Sequence, residues 1–273
     1  MAPRVVLPES RIRLQRHRRR MLLLWSAVTV CILLLGGSIA LLWLPQWRIT
    51  AVSITGTQTL TPSAIATVAY ADLSGRYGYI IPKNNVLVYP KQKISADVLR
   101  QFPVLQTVSV GIENFHTLRV RVVERTPVAQ YCGSEAASNT PCYLLDQSGM
   151  VYAPALQNSE SAYVSYFGST TQGALPWQYL SPEQFQSLLA LTQAVNGVAK
   201  TDTVHSVSVD PLGEVHMTFG SGFTLLFMLS QNPADVLHSF SLALTSDPFT
   251  THALSAVEYL DMRFGDRLYY KLK

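Results

Sequence analysis

An arginine-crowded start runs straight into an uncharged apolar stretch, and that junction constrains everything after it. Arg4, Arg11, Arg13, Arg16, Arg18, Arg19 and Arg20 lie in the first twenty residues, and no charged side chain follows across residues 21–45. A helix needs about 20 apolar residues to cross a hydrocarbon core about 30 Å thick, so residues 21–44 are expected to form a single transmembrane helix. Carrying Arg or Lys across a bilayer is disfavoured. Residues 1–20 are therefore expected to be a basic cytoplasmic tail, with the rest of the chain outside: a single-pass protein of the cell (inner) membrane. A cleaved secretory signal begins in the same way, but its apolar core runs only about 7 to 15 residues. The exit Ala40-Leu-Leu-Trp-Leu-Pro45 also lacks a small-x-small cleavage pattern. Trp25 near one end, and Trp43 and Trp47 near the other, suit the two interfacial belts.

The formal net charge of +4 and a pI near 9.0 would suit a nucleic-acid partner. The distribution argues against one. Seven of the 21 Lys and Arg fall in the first twenty residues, against Glu9 alone among the 17 Asp and Glu, so the remainder is slightly acidic. The basic tail has anionic membrane lipid as its simplest partner, and no nucleic acid is expected.

Cys31 lies inside the apolar run, where it acts as a small hydrophobe. Cys132 and Cys142 bracket a polar, turn-rich segment flanked by strand-like stretches, in a compartment where disulfides persist. A bridge closing a hairpin loop near its base is expected, worth about 2 to 3 kcal/mol for so short a loop. Two free thiols or a metal pair are the alternatives, and no further cysteines complete a zinc site.

The part after residue 47 reads as α+β. A strand over 48–57 is followed by a helix with Thr61 as N-cap and Pro62 in its first turn. Residues 74–90 read as an aromatic-rich loop. A second helix has Ser95 as its cap, a face of Val98, Leu99 and Phe102, and Pro103 as its end. From Gln106 the apolar period becomes two, giving strands around Val108 to Ile112 and Leu118 to Val122. This β-α-α-β-β order defines a compact module over 48–125. Residues 126–273 read as a mostly antiparallel β domain with flanking helices: a hairpin around Asp146-Gln-Ser-Gly149, and a capping-box helix from Ser181 with Phe185, Leu188, Leu189 and Val195 inward. Strands over 204–209, 214–219 and 223–229 come next, then a helix capped by Asn232, and finally a hairpin over 256–264 and 267–272 turning at Gly265-Asp266.

No catalytic residue, metal site, cofactor or small-molecule substrate is expected. The six histidines are scattered, without a His-Glu-x-x-His pattern. Ser221 sits between two glycines without a nucleophile-elbow pattern and reads as a turn. Asp146 reads as a turn residue bonding its own backbone.

Several segments resemble the bacterial cell-division family FtsQ/DivIB: Ile54-Thr-Gly56, Phe102-Pro103-Val104, Thr117-Leu118-Arg119-Val120, Glu124-Arg125-Thr126-Pro127, Leu145-Asp146 with Gly149-Met150-Val151-Tyr152, and Leu260-Asp261-Met262-Arg263-Phe264. They occur in order along the chain, with a long insertion over 75–89 and Met262 where the family favours Leu as departures. The resemblance implies a POTRA domain over 48–125 and a C-terminal β domain. It implies a non-enzymatic divisome scaffold at the division septum, linking FtsB-like and FtsL-like partners to septal peptidoglycan synthesis. It would place the FtsB contact on Arg263, Phe264, Gly265, Arg267, Leu268, Tyr269 and Tyr270, with Phe264 and Tyr269 as apolar anchors and Arg263 as an ion-pair donor. The opposing reading puts Phe264 and Tyr270 in the core. Glu124, Arg125 and Pro127 are read as interdomain structural residues, with an ion pair between domains. A POTRA protein of outer-membrane assembly or secretion, and a membrane-anchored hydrolase, are the alternatives.

Overall fold

A helix, α1 (Glu9–Leu42), opens the chain in a computed structural model that describes residues 9–78, 80–134, 141–155, 163–168, 173–200, 202–265 and 267–273. Arg4 of the basic tail, Tyr79 of the insertion, residues 135–140 of the cysteine loop and Asp266 of the last turn lie outside the described residues. The stretch Arg20–Leu42, of mean hydropathy 2.2, is long and apolar enough to cross a membrane, and none of it is buried within the protein. Its hydroxyls are satisfied within the helix, with Thr29 donating to Trp25 O and Ser38 to Leu34 O, as a lipid environment demands. The helix stops at Leu42, two residues short of the expected end. Pro45 then opens a single 3-10 turn, Pro45–Trp47, because a proline inside the helix would remove a bond and clash with the preceding turn.

The chain divides into two compact units, Met1–Gln101 with Thr107–Val123, and Phe102–Gln106 with Glu124–Lys273. In the first, β1 (Ala51–Thr55), α2 (Pro62–Leu73), the short ribbon β2 (Arg76–Tyr77) and β3 (Ile81–Pro82), α3 (Lys91–Gln101), β4 (Leu105–Asn114) and β5 (Thr117–Glu124) follow in order. The sheet order is β1-β5-β4, with β1 parallel to β5. Alternation on β5 buries Leu118, Val120 and Val122, while helical spacing buries Ile65, Ala69 and Leu73 on α2 and Ile94 and Val98 on α3. Of two expected caps, one is in place without its side-chain bond and one is corrected. Thr61 holds the N-cap position of α2, but its side chain makes no capping bond. Ser95 lies inside α3 and bonds Val108 O at 3.0 Å. The helix starts a turn earlier, where Pro90 O accepts from Ile94 N.

The second unit adds β6 (Pro127–Tyr131), β7 (Tyr143–Asp146), β8 (Met150–Pro154), β9 (Ser165–Gly168), β10 (Trp177–Gln178), α4 (Pro182–Ala199), β11 (Val204–Val209), β12 (Glu214–Phe219), β13 (Thr224–Met228), α5 (Pro233–Leu244), β14 (Val257–Phe264) and β15 (Arg267–Leu272). They form one ten-stranded sheet, ordered β10-β8-β7-β6-β9-β11-β12-β13-β14-β15. The pairs β6–β9, β9–β11 and β13–β14 are parallel, and the rest are antiparallel. The capping box at Ser181 forms with Gln184, and Asn232 caps α5 through Ala234 N. The two helices pack on the sheet through Phe185, Leu188, Leu191 and Val195 of α4 and Val236, Phe240 and Ala243 of α5. Buried tyrosines keep their hydroxyls bonded, Tyr131 to Gly168 O at 2.8 Å and Tyr179 to Phe167 O at 2.7 Å, which removes the penalty for burying them. The whole is mixed α and β, with one apolar N-terminal helix and one large sheet.

Candidate functional site

β15 is the terminal strand of the large sheet, so among the described residues one side of its backbone has no neighbouring strand. Such an edge leaves a row of N–H and C=O groups open to another chain. The β14–β15 register pairs Leu260 with Tyr270 and Asp261 with Tyr269, and paired residues share a face. Leu260 is part of the core under the helices. Tyr270 therefore lies on the helix-bearing face, where its ring meets Phe249 edge-on at 6.2 Å. Tyr269 lies on the opposite face and meets Phe264 edge-on at 5.5 Å.

Both faces of the strand remain partly open to solvent. Every residue of β15 is exposed, with Tyr269 at 48% and Tyr270 at 50%, while Phe264 at the end of β14 reaches 59%. Phe264 and Tyr270 thus stand outside the core. The structure brings Arg263, Phe264, Gly265, Arg267, Leu268, Tyr269 and Tyr270 onto one hairpin, with Gly265 at φ 67 in its turn. A cleft of about 260 Å³, lined among others by Gln231, Asp235, Met262 and Gly265, adjoins that turn.

Arg263 is engaged within the protein. Its Nε and Nη2 donate to Asp261 at 2.9 and 2.6 Å, and its Nη1 lies 2.7 Å from Glu214 Oε1. Burial pushes the Asp261 carboxyl up, but the guanidinium and the Arg263 backbone N–H outweigh it and hold it below the usual carboxylate range. The paired carboxylates hold the Arg263 guanidinium above its ordinary value. The arginine thus stiffens the end of β14 beside Phe264, over whose ring its guanidinium lies at 5.6 Å. Asp261 and Arg263 are two apart on a strand and share a face, which the sequence could have disclosed. Glu214 carries no local signal, since only the sheet order brings it there.

Glu124, Arg125 and Pro127 open the second unit. Arg125 pairs with Asp146, donates from Nε to Pro103 O at 3.2 Å and from its backbone N–H to Val104 O at 2.8 Å. All of these partners belong to the same unit, so the Arg125–Asp146 pair lies within the second unit. Asp146 also accepts from Ser148 N and Met150 N, which makes it the self-bonding turn residue that its sequence suggests. Cys132 and Cys142 are bonded, closing the loop between β6 and β7. Ser221 is a turn residue, its hydroxyl bonded to Asp202. Among the described residues no cluster of three His, Cys, Asp or Glu side chains is placed to hold a metal. Neither a protein-family model nor a curated protein matches the chain.

Proposed function

We propose that the protein is a non-enzymatic scaffold of the bacterial division machinery, similar to FtsQ/DivIB. In this reading α1 anchors it in the cell membrane with the N-terminus in the cytoplasm. The first unit serves as a POTRA domain, and the second takes up an FtsB-type partner beside an FtsL-type one at the septum. The observation that carries the reading is the margin of the large sheet, where the edge strand β15 and the end of β14 display Tyr269, Tyr270 and Phe264 to solvent. A partner segment adding as a further strand would gain backbone bonds from the edge and specificity from the alternating side chains. Aromatic anchors are the residues that dominate such interfaces. Arg267 on the same strand favours an acidic residue in the partner segment, whereas Lys271 is paired with Glu258 and Lys273 donates to Ser221 O.

Co-purification of the full chain with FtsB-type and FtsL-type partners tests this. The double variant Phe264→Ala/Tyr269→Ala should lower partner recovery about thirtyfold, the scale of an interface hot spot. Leu212→Ala, at an exposed turn remote in sequence from the hairpin, should leave recovery unchanged. Equal recovery with the double variant and the unaltered chain would remove the edge strand from the reading.

A further inference from the structure

At the exit of α1 the chain builds a feature that partner binding does not use. Asn85 is fully buried; its Nδ2 donates to Leu42 O and its Oδ1 accepts from Leu87 N, both at 2.8 Å. Ile49 N donates to Asn84 O at 2.7 Å and Val86 N to Trp47 O at 2.9 Å. The segment after β3 is thus bonded to the last turn of the helix and to the chain leaving it, and β3 itself lies against α1. These bonds frame a cleft of about 260 Å³, lined by Trp43, Arg48, Ser74, Gly75, Arg76 and Asn84 among others.

Two arginines line this cleft, and among the described residues no acidic one does. Among the described residues neither Arg48 nor Arg76 forms an ion pair. Arg48 Nε is buried with no hydrogen-bond partner, and its Nη2 reaches Trp43 O only at 3.5 Å, the limit for such a bond. The Arg76 guanidinium lies over the Trp43 ring, 4.7 Å from its centroid. The helix end supplies about half a negative charge, which leaves most of two positive charges unbalanced.

An anion with several acceptor oxygens would complete the arrangement, since guanidinium groups match oxyanions in geometry and charge. Location selects its source. With α1 in a bilayer, Trp43 stands at the membrane–water boundary, where tryptophan is enriched and phosphates are dense. The ribbon that carries Arg76 also exposes Tyr77 and Ile80, apolar surface suited to the headgroup layer. We propose that this cleft holds the phosphate of a phospholipid headgroup, with Arg48 and Arg76 donating to its oxygens. The proposal rests on the part of the reading above that sets α1 in a membrane, and it is independent of the β15 edge. A bound headgroup ties the first unit to the bilayer surface at a second point besides the helix.

The full chain in neutral detergent is titrated with phosphatidylglycerol, with diacylglycerol, which lacks the phosphate, and with inorganic phosphate. Bound species are counted by native mass spectrometry. One phosphatidylglycerol should be retained, with diacylglycerol and inorganic phosphate each at least about tenfold weaker. Arg76→Gln, at an exposed position, should weaken lipid retention about fivefold, and Arg48→Gln/Arg76→Gln about 25-fold. Arg76→Lys should restore most of it. Equal retention of diacylglycerol would overturn the phosphate assignment, and inorganic phosphate binding as tightly as the lipid would move the source to solution. Retention unaltered in the glutamine variants would overturn the site. If the double variant loses its circular-dichroism signal, Arg76→Gln alone decides. Partner recovery through β15 should be the same in all these variants, and failure of α1 to insert would appear separately, as a chain that does not float with vesicles.

Discussion

Arg125 divides its guanidinium between Pro103 O and the Asp146 carboxylate, with side-chain exposures of 12% and 4% for the two charged partners. Burial pushes the Asp146 carboxyl up, but the Ser148 hydroxyl, the Met150 N–H and Arg125 together hold it below its ordinary value. A carboxyl lowered by folding contributes stability that is fully present above its unfolded value, about 4, and is lost as pH falls through the lower folded value. Arg125→Met would leave that carboxylate buried without its cation. The urea transition of the second unit at pH 7 should show a loss of about 3 kcal/mol. The gap to the unaltered chain should narrow below about pH 4, where the variant's carboxyl takes up a proton and the native pair begins to lose its advantage. A gap unchanged at pH 3 would assign the effect to lost packing of the arginine stem. The Asp146 turn was legible in Leu-Asp-Gln-Ser-Gly, because such a residue bonds backbone two and four positions on. Its pairing with Arg125 was not legible, because the contact is made by tertiary structure and has no fixed spacing.

Among the elements, those with local chemistry were the readable ones. The Ser181 box and the Asn232 cap are bonds between neighbours in sequence, and the alternation of Leu118, Val120 and Val122 reports a sheet with one buried face. β9 gave no such signal. All four of its residues are buried, so alternation is absent, and its neighbours on both sides are parallel, joined by no hairpin turn. The ribbon β2–β3 escaped for a different reason, each strand being two residues long inside a segment rich in turn residues. The end of β1 shows how much one element can depend on one residue. Gly56 has φ 97, and a Cβ there would collide with Val122 O on β5. Gly56→Ala combines a left-handed backbone strained for any L side chain with that collision, so a cost of at least about 2 kcal/mol is expected. Hydrogen exchange should register it as reduced protection of the β5 amides; unchanged protection would mean that the strand end relaxes freely.

At the scale of the molecule the chain has two cores. Ile65, Ala69, Ile94, Val98, Leu118 and Val120 close the first unit, whereas the second is closed by the helices α4 and α5 against the ten-stranded sheet. Residues 102–106 belong with the second unit although they directly follow α3. No local signal announces this, since it is Arg125 that bonds Pro103 O and Val104 O. Two cores make a single unfolding free energy ill-defined, and the units should respond separately to damage. Phe240 is fully buried and packs its ring near Phe219 and Phe223, at 6.1 and 6.4 Å. Phe240→Ala removes that ring and leaves a cavity, a change expected to cost about 3 to 5 kcal/mol. In hydrogen exchange on the full chain, amides of β12, β13 and β14 should lose protection in this variant while those of β5 keep theirs. Gly56→Ala should produce the reverse pattern. Equal losses in both sets for both variants would show that the units unfold together, in which case damage in the first unit would also disable the edge strand. Separate losses would mean that a lesion in one unit leaves the other folded, and on the proposed function partner recovery measured on Gly56→Ala would then match that of the unaltered chain.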